Sequence, residues 1–498
     1  MKVRHKQLTN TQEIGDVASR VLSGSAWVLG VQLFSKGLGA VQLFILAHML
    51  GPRDFGLFAI ALSMLLAFEV LTRTGFDDAL IQKRGNIEDY VHTAFGIQII
   101  RGVVMTALII FTAPYIASFF NEPAVAPVVS TLALMQLLRG FRSPGIILLQ
   151  RELNFQLESK LLAVGKIFTI ITTLILAFQL RSIWALVYGA VIGEATLVVL
   201  SYAIHPYRPK LFFSLGKAKE LVKFGIWLFL AGIASYIAMQ ADNIAVGRLI
   251  SAEALGVYFI AFRIANFSVE EIAKPLIKTL KPAYAALQDD VEHLRIGLEK
   301  TIALFFAIFL PIAIFLMLNA EIVIQVVFGN KWNAIIPILP ILVLGALFNG
   351  LVGISAAFFI GTGRTRVYFL SEFVRAVTLL LTLYPFFVLA GLTGIAWASA
   401  VSTASQFVVT SIILLMRLVQ IRSFLVRELL PISFSTLVLG VLLLTESTFL
   451  PVALWSLVVT SVSSAVIYAI AMWLLVHETA HLSIGKLVVR KTLNYIRK

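Results

Sequence analysis

The chain has 498 residues, 59% hydrophobic and 13% charged, with a mean hydropathy of +0.94. No water-soluble fold of this length needs so much apolar surface, and long uninterrupted apolar runs point to a polytopic membrane protein built from helices. The absence of cysteine excludes disulfides, thiolate zinc sites and cysteine catalysis.

Residues 1–24 carry Lys2, Arg4, Lys6 and Arg20 and no long apolar run. The next run, near 25–50, is too long for a signal-peptide core and lacks a small-residue cleavage site, so it is expected to remain as a first span. At about 20 residues per crossing, fourteen spans are expected. They lie near 25–50, 55–75, 93–119, 124–149, 160–180, 183–204, 222–247, 255–277, 301–320, 334–360, 367–389, 392–416, 428–446 and 451–476.

Lysine and arginine in the loops orient these spans. With the N-terminus in the cytoplasm, the termini and the loops on that side hold 27 basic residues. The opposite loops hold Arg53, Arg181, Arg248 and Lys331. The formal net charge of +14 thus reads as contact with anionic lipid rather than with nucleic acid.

The chain repeats itself at an offset of two hundred residues. Leu50-Gly51-Pro52-Arg53-Asp54-Phe55-Gly56 through Ala61 lies over Ile250 through Gly256 to Ala261 without a gap, with Trp27 falling on Trp227 and Gln42 on Asp242. A fixed offset marks a duplicated unit. Residues 25–204 and 222–418 are expected as six-helix bundles, joined by a basic linker at 205–221 and followed at 419–498 by two more helices and a basic tail. An even number of helices per unit makes the two units parallel, related by an axis along the membrane normal.

Charges inside spans are costly and mark function or pairing. In span four, Arg139 and Arg142 share a face and have no acid within a turn, so they are expected to line a water-filled cavity. In span two, Glu69 and Arg73 are placed to pair at i, i+4. In span eight, Arg263, Glu270, Lys274, Lys278 and Lys281 follow one helical face past Pro275 and Pro282. Glu270 is placed to offset Lys274, and the last two lysines to reach the surface. Lys36 and Arg375 are isolated, although Glu372 lies three residues before Arg375. Arg101 and Lys166 lie near cytoplasmic ends, where they can snorkel. Asp242 is a lone carboxylate: either a coupling-ion site or a hydrogen-bond clamp on the turn that leads to Gly256.

Two motifs are set aside. His477-Glu478-Thr479-Ala480-His481 matches the zinc protease pattern, but it falls where span fourteen leaves the membrane, with no further ligand in the tail. Gly361-Thr362-Gly363-Arg364 reads as a helix cap and short turn. No P-loop is present, so ATP is not the direct energy source.

Several stretches together resemble one family. They are Gly24-Ser25-Ala26-Trp27, Leu50 through Leu57, Leu149-Gln150-Arg151-Glu152-Leu153-Asn154-Phe155, Asp242-Asn243 through Gly256-Val257-Tyr258, Pro275 with Lys281-Pro282-Ala283-Tyr284, Leu287-Gln288-Asp289-Asp290, Leu294-Arg295 and Phe328-Gly329-Asn330-Lys331-Trp332. In order and spacing they look like the polysaccharide transporter family of the MOP flippase superfamily, closest in type to Wzx exporters. The resemblance implies a V-shaped architecture like that of MATE transporters, in the bacterial inner membrane with both termini cytoplasmic. It implies alternating access for undecaprenyl-pyrophosphate-linked oligosaccharides, no enzymatic activity and no cofactor beyond a coupling H+ or Na+. Membrane lipids and downstream polymerase or export machinery would be its other partners.

On that reading Lys36, Arg139, Arg142, Arg263, Lys274 and Arg375 are the candidates to solvate the pyrophosphate and glycan, and Asp242, Glu194 and Glu270 to carry the coupling ion. A multidrug or other cation antiporter would favour an acidic, aromatic lining, whereas the nine intramembrane bases here exceed the six acids. A membrane polymerase or ligase would need a large outward loop, and every outward loop is short.

Overall fold

The computed structural model of the protein describes residues 37–71, 88–151, 155–204, 235–269 and 274–417, with isolated positions elsewhere. The expectations placed on Trp27, Lys36, Arg73, Glu270, His477 and His481 lie outside the described residues, as do nearly all of the linker and of spans thirteen and fourteen. Lys274 falls within a described helix, but its side chain is not among the described groups.

The described residues are helical, with no strand among them. In the first unit, α1 (Gly37–Met49) leads through a tight turn to α2 (Pro52–Leu71). Next come α3 (Glu88–Phe120), α4 (Val125–Gly140), the short α5 (Gly145–Arg151), α6 (Phe155–Leu180) and α7 (Trp184–Ile204). In the second unit, α8 (235–249) precedes α9 (Ala252–Ser268), α10 (Lys274–Ala286), α11 (Val291–Leu318) and the four-residue α12 (Ala320–Val323). A π-helical turn, Ile324–Phe328, and a 3₁₀ segment, Asn330–Ile335, then lead to α13 (Leu339–Gly361) and α14 (Thr365–Arg417). Among the described residues, α3, α6, α7, α11, α13 and α14 contain stretches long and apolar enough to cross a bilayer.

α14 is a hairpin rather than a rod. Helical geometry fails at Ala390 and at Gly391, whose φ of 56° suits glycine. The two arms run back along each other, with Ser405 Oγ 3.1 Å from Thr378 Oγ1 and Gln406 beside Ser371. Predicted spans eleven and twelve are these arms. Predicted span four is divided between α4 and α5, with the break at Arg142–Pro144, where proline cannot donate to the preceding turn. Predicted span eight corresponds to α9 and the start of α10.

Close packing follows small residues, as it does where helices meet in lipid. Gly102 lies against Gly140 between α3 and α4, and Gly189 and Gly193 lie against Thr173 and Thr169 between α7 and α6. Local caps fix the turns. Ser251 Oγ accepts the Ala254 N–H at 3.0 Å and Asp290 accepts the His293 N–H. Pro52 opens α2 while Asp54 Oδ2 reaches back to the Gly51 N–H at 3.0 Å. Gly363, with φ of 73°, ends α13 as a cap, in line with the reading of Gly361–Arg364.

The duplicated stretches meet in space. Where α2 crosses α9, a Cβ on Gly56 would lie 1.6 Å from the Ala252 carbonyl oxygen, and one on Gly256 would lie 1.7 Å from that of Pro52. The contact is reciprocal, as a two-fold relation between equivalent helices requires.

Candidate functional site

The turns near Arg53, Glu122, Ile183, Arg248 and Lys331, predicted to face outward, gather at this same end of the molecule. Asp54 Oδ1 accepts the Ile183 N–H at 3.2 Å, tying the turn before α2 to the turn before α7, and Arg53 pairs with Glu122 at 2.5 Å. The two halves then clasp each other. From the second half, Lys331 Nζ donates to the His48 and Leu50 carbonyls at 2.8 Å each, and the fully buried Trp332 donates from Nε1 to the Ala47 carbonyl at 3.0 Å. These are the free carbonyls at the C-terminal end of α1, where a cation is favoured. Burial holds the Lys331 ammonium below the usual lysine range, with Asp54 opposing the effect.

From the first half, the α3–α4 turn covers the end of α8. Phe120 packs on Gly247, and the Arg248 guanidinium lies 5.4 Å from the Phe119 ring centroid. The two clasps are counterparts, each placing a turn of one half over the first helix of the other.

Intramembrane charge divides differently between the halves. In the first, Arg139 Nε is 3.1 Å from Glu194 Oε2 and its Nη1 is 2.7 Å from Glu69 Oε2, while Arg142 Nη2 bonds Glu194 Oε1. Glu194 is 5% exposed and Glu69 40%. Arg139 and Arg142, which have no acid within a turn of their own helix, thus meet acids brought from elsewhere in the fold. Their acids come from α2 and α7, not from their own helix, and two guanidinium charges meet two carboxylates. Glu194 is shared by both arginines, and Glu69 is bonded by Arg139, while Arg73, its expected partner, lies outside the described residues. Arg101 spans to the Glu69 carbonyl at 3.3 Å rather than only reaching for the surface.

In the second half, Asp242 is buried at 4% exposure. Its Oδ2 accepts the Tyr258 hydroxyl at 2.8 Å and the Ser399 hydroxyl at 3.1 Å, and its Oδ1 accepts the Asn243 N–H at 2.8 Å. Asp242 thus clamps α8 to α9, two residues past Gly256, and also holds the second arm of α14.

Beyond Ser399 lies a small cleft of about 20 Å³, lined by Phe262, Asn266, Asn349, Arg375, Ser399 and Thr403 among others. Arg375 forms no pair with Glu372, whose described partner is Tyr368, and the buried Arg375 Nε has no hydrogen-bond partner. Arg263 stands outside the cleft, exposed, with its guanidinium 5.1 Å from the Phe259 ring centroid. The structure therefore separates the predicted cations into a paired set in one half, a cleft-lining arginine in the other, and one on an exposed face. Among the described residues, no cluster of histidine and carboxylate side chains could hold a metal.

Comparison with known proteins places this architecture. A sequence profile for the family described as polysaccharide biosynthesis protein matches residues 45–337, more than half of the chain. The chain belongs to the polysaccharide biosynthesis protein family. It is similar to the lipopolysaccharide biosynthesis protein WzxC of Escherichia coli K12, at 25% identity over 360 residues covering 70% of this chain and 72% of that protein. It is similar to the teichuronic acid biosynthesis protein TuaB of Bacillus subtilis 168, at 24% identity over 79% of this chain and 82% of that one. The succinoglycan biosynthesis transport protein ExoT of Rhizobium meliloti 1021 matches at 25% identity over 72% of this chain and 73% of its own.

In fold the chain resembles the lipid II flippase MurJ in its inward closed conformation, with a TM-score of 0.72 and 14% identity over 91% of this chain and 99% of that one. It also resembles an inward-facing MATE family transporter, with a TM-score of 0.64 and 19% identity over 79% of this chain and 98% of the other. This family member is a multi-pass membrane protein with a fold like that of MurJ and MATE transporters.

Proposed function

We propose that the protein is a flippase that carries polyprenyl-pyrophosphate-linked oligosaccharide across the bacterial inner membrane by alternating access between its two halves, with both termini cytoplasmic. The observation that carries this reading is the reciprocal junction at Gly56 and Gly256, with its two counterpart clasps. Two related halves joined at one end over a shared axis can part there and close at the other. A pyrophosphate and sugar hydroxyls cannot enter hydrocarbon unaided, because each unsatisfied polar group costs several kcal/mol. A path between two bundles avoids that cost while the lipid tail stays in the bilayer. Relatives named for lipopolysaccharide, teichuronic acid and succinoglycan synthesis support the substrate class.

Coupling to H+ or Na+ belongs to the same proposal. Asp242 is the better carrier, because Glu194 is already shared by two arginines. The experiment is deletion of the gene in its host. Lipid-linked oligosaccharide should accumulate and the extracellular polymer should disappear, with both reversed by the wild-type gene. Unchanged polymer output would refute the proposal.

A further inference from the structure

Two turns past Gly56, the contact between the halves changes character. Ser63 stands seven residues further along α2, about 10 Å deeper at the helical rise. Its hydroxyl donates to Gln240 Oε1 at 2.8 Å, and its carbonyl accepts the Tyr236 hydroxyl at 3.1 Å. Asn243 Nδ2 donates to the same Gln240 oxygen at 3.0 Å. Ser63 belongs to the first half. Tyr236, Gln240 and Asn243 follow one face of α8 in the second, at i, i+4 and i+7. None of the four side chains is charged. They form a neutral ladder of hydrogen bonds across the junction.

The duplicated fold does not require this ladder. At the offset of two hundred residues, Ser63 falls on Arg263, and Tyr236, Gln240 and Asn243 fall on Lys36, Ala40 and Leu43. The repeat therefore carries the ladder in one register only. A bond common to the packing of both crossings would recur in the other.

Parting of the halves separates Ser63 from Gln240 and Tyr236. A hydrogen bond exchanged for another costs little, whereas one lost without replacement leaves a desolvated group. Two of the groups set free are acceptors, Gln240 Oε1 and the Ser63 carbonyl, so their replacement partner must donate. An ionised diphosphate only accepts. A sugar hydroxyl both donates and accepts, as the serine and tyrosine hydroxyls do.

From this we infer that Ser63, Tyr236, Gln240 and Asn243 form a subsite for the hydroxyls of a neutral sugar. The subsite stays closed on itself until the glycan replaces its internal bonds, so the sugar part of the cargo promotes opening of the clasped end. The inference rests on the flippase reading, whose cargo it specifies. Asn243 ties the subsite to Asp242, because its N–H donates to Asp242 Oδ1 while its side chain holds Gln240.

The test uses the full chain in nanodiscs, with Ala47→Cys as the sole thiol at the clasp and a membrane-impermeant maleimide to report parting. The probes are farnesyl pyrophosphoryl glucose and, without the sugar, farnesyl pyrophosphate. The glucose-bearing probe should speed labelling several-fold over farnesyl pyrophosphate. Ser63→Ala with Gln240→Leu should make the two probes equal, and Tyr236→Phe should lower the preference in part. Ser63→Thr keeps the hydroxyl and should keep the preference. If the double variant does not fold, Tyr236→Phe carries the test.

Equal labelling with the two probes before the ladder is altered would overturn the inference, since water alone would then replace the bonds. So would an undiminished preference in Tyr236→Phe or in the folded double variant, or a loss in Ser63→Thr as large as in Tyr236→Phe. Polymer output in the host separates the two ideas. If deletion of the gene abolishes the polymer and Ser63→Ala with Gln240→Leu restores it in full, the subsite falls and the flippase stands. If deletion leaves the polymer unchanged while the labelling preference holds, the flippase reading falls and the sugar subsite stands.

Discussion

Gly56 and Gly256 lie back to back where α2 crosses α9, each facing the carbonyl that starts the other helix. Residues two hundred positions apart in the repeated stretch are therefore neighbours in space. No side chain fits between these backbones. Gly256→Ala should be destabilising by about 1–3 kcal/mol or more, the range for overpacking a filled site. Thermal unfolding in detergent measures this, and Gly56→Ala combined with Gly256→Ala should cost less than the sum of the two, because the sites are in contact.

Trp332 is fully buried and donates to the end of α1. Trp332→Ala should cost about 3–5 kcal/mol and should loosen the clasp. The chain has no cysteine, so a thiol introduced as Ala47→Cys reports alone. A membrane-impermeant maleimide applied from outside should label it slowly in the otherwise wild-type chain and several-fold faster with Trp332→Ala.

Glu194 neutralises two arginines, and its removal strands both. Breaking a buried pair costs about 3–5 kcal/mol. Since Arg139 and Arg142 are 38% and 26% exposed, solvent should reduce the loss in Glu194→Gln to roughly 1–3 kcal/mol. Glu69→Gln, at a more exposed carboxylate, should cost below about 1 kcal/mol. Melting temperatures of the two variants give the order, and Glu69→Gln melting lower than Glu194→Gln would contradict it.

Asp242→Asn keeps an acceptor for Tyr258 and Ser399 and should retain the fold while removing dependence of transport on an imposed ion gradient. Asp242→Leu leaves both hydroxyls unpaired in the interior, each at about 1–3 kcal/mol, and should lower the yield of folded protein. Gradient-driven transport in vesicles, compared with size-exclusion profiles, tells the two effects apart.

Much of the fold was legible because its signals are local. Apolar runs place the helices, Gly51-Pro52 and Ser251 mark two starts, and the two-hundred-residue offset pairs Gly56 with Gly256. The site was less legible. Glu194 lies 52 residues from Arg142, and Lys331 lies 281 residues from the carbonyl it caps. No spacing in one sequence encodes such pairings. One clue existed: two arginines in one span without a nearby acid, and a single acid in another. Charge balance in a low-dielectric interior could have joined them. The break at Arg142–Pro144 also had its signal in Gly140 and Pro144, but a length rule for crossings overrode it.

The account turns on the two halves parting at the clasped end. In proteoliposomes holding a polyprenyl-pyrophosphate-linked oligosaccharide, appearance of the glycan at the opposite face can be followed with a chain carrying Ala47→Cys and Trp332→Cys. Cross-linking these two thiols should stop translocation and reduction should restore it. Translocation at the uncross-linked rate with the thiols joined would contradict the mechanism.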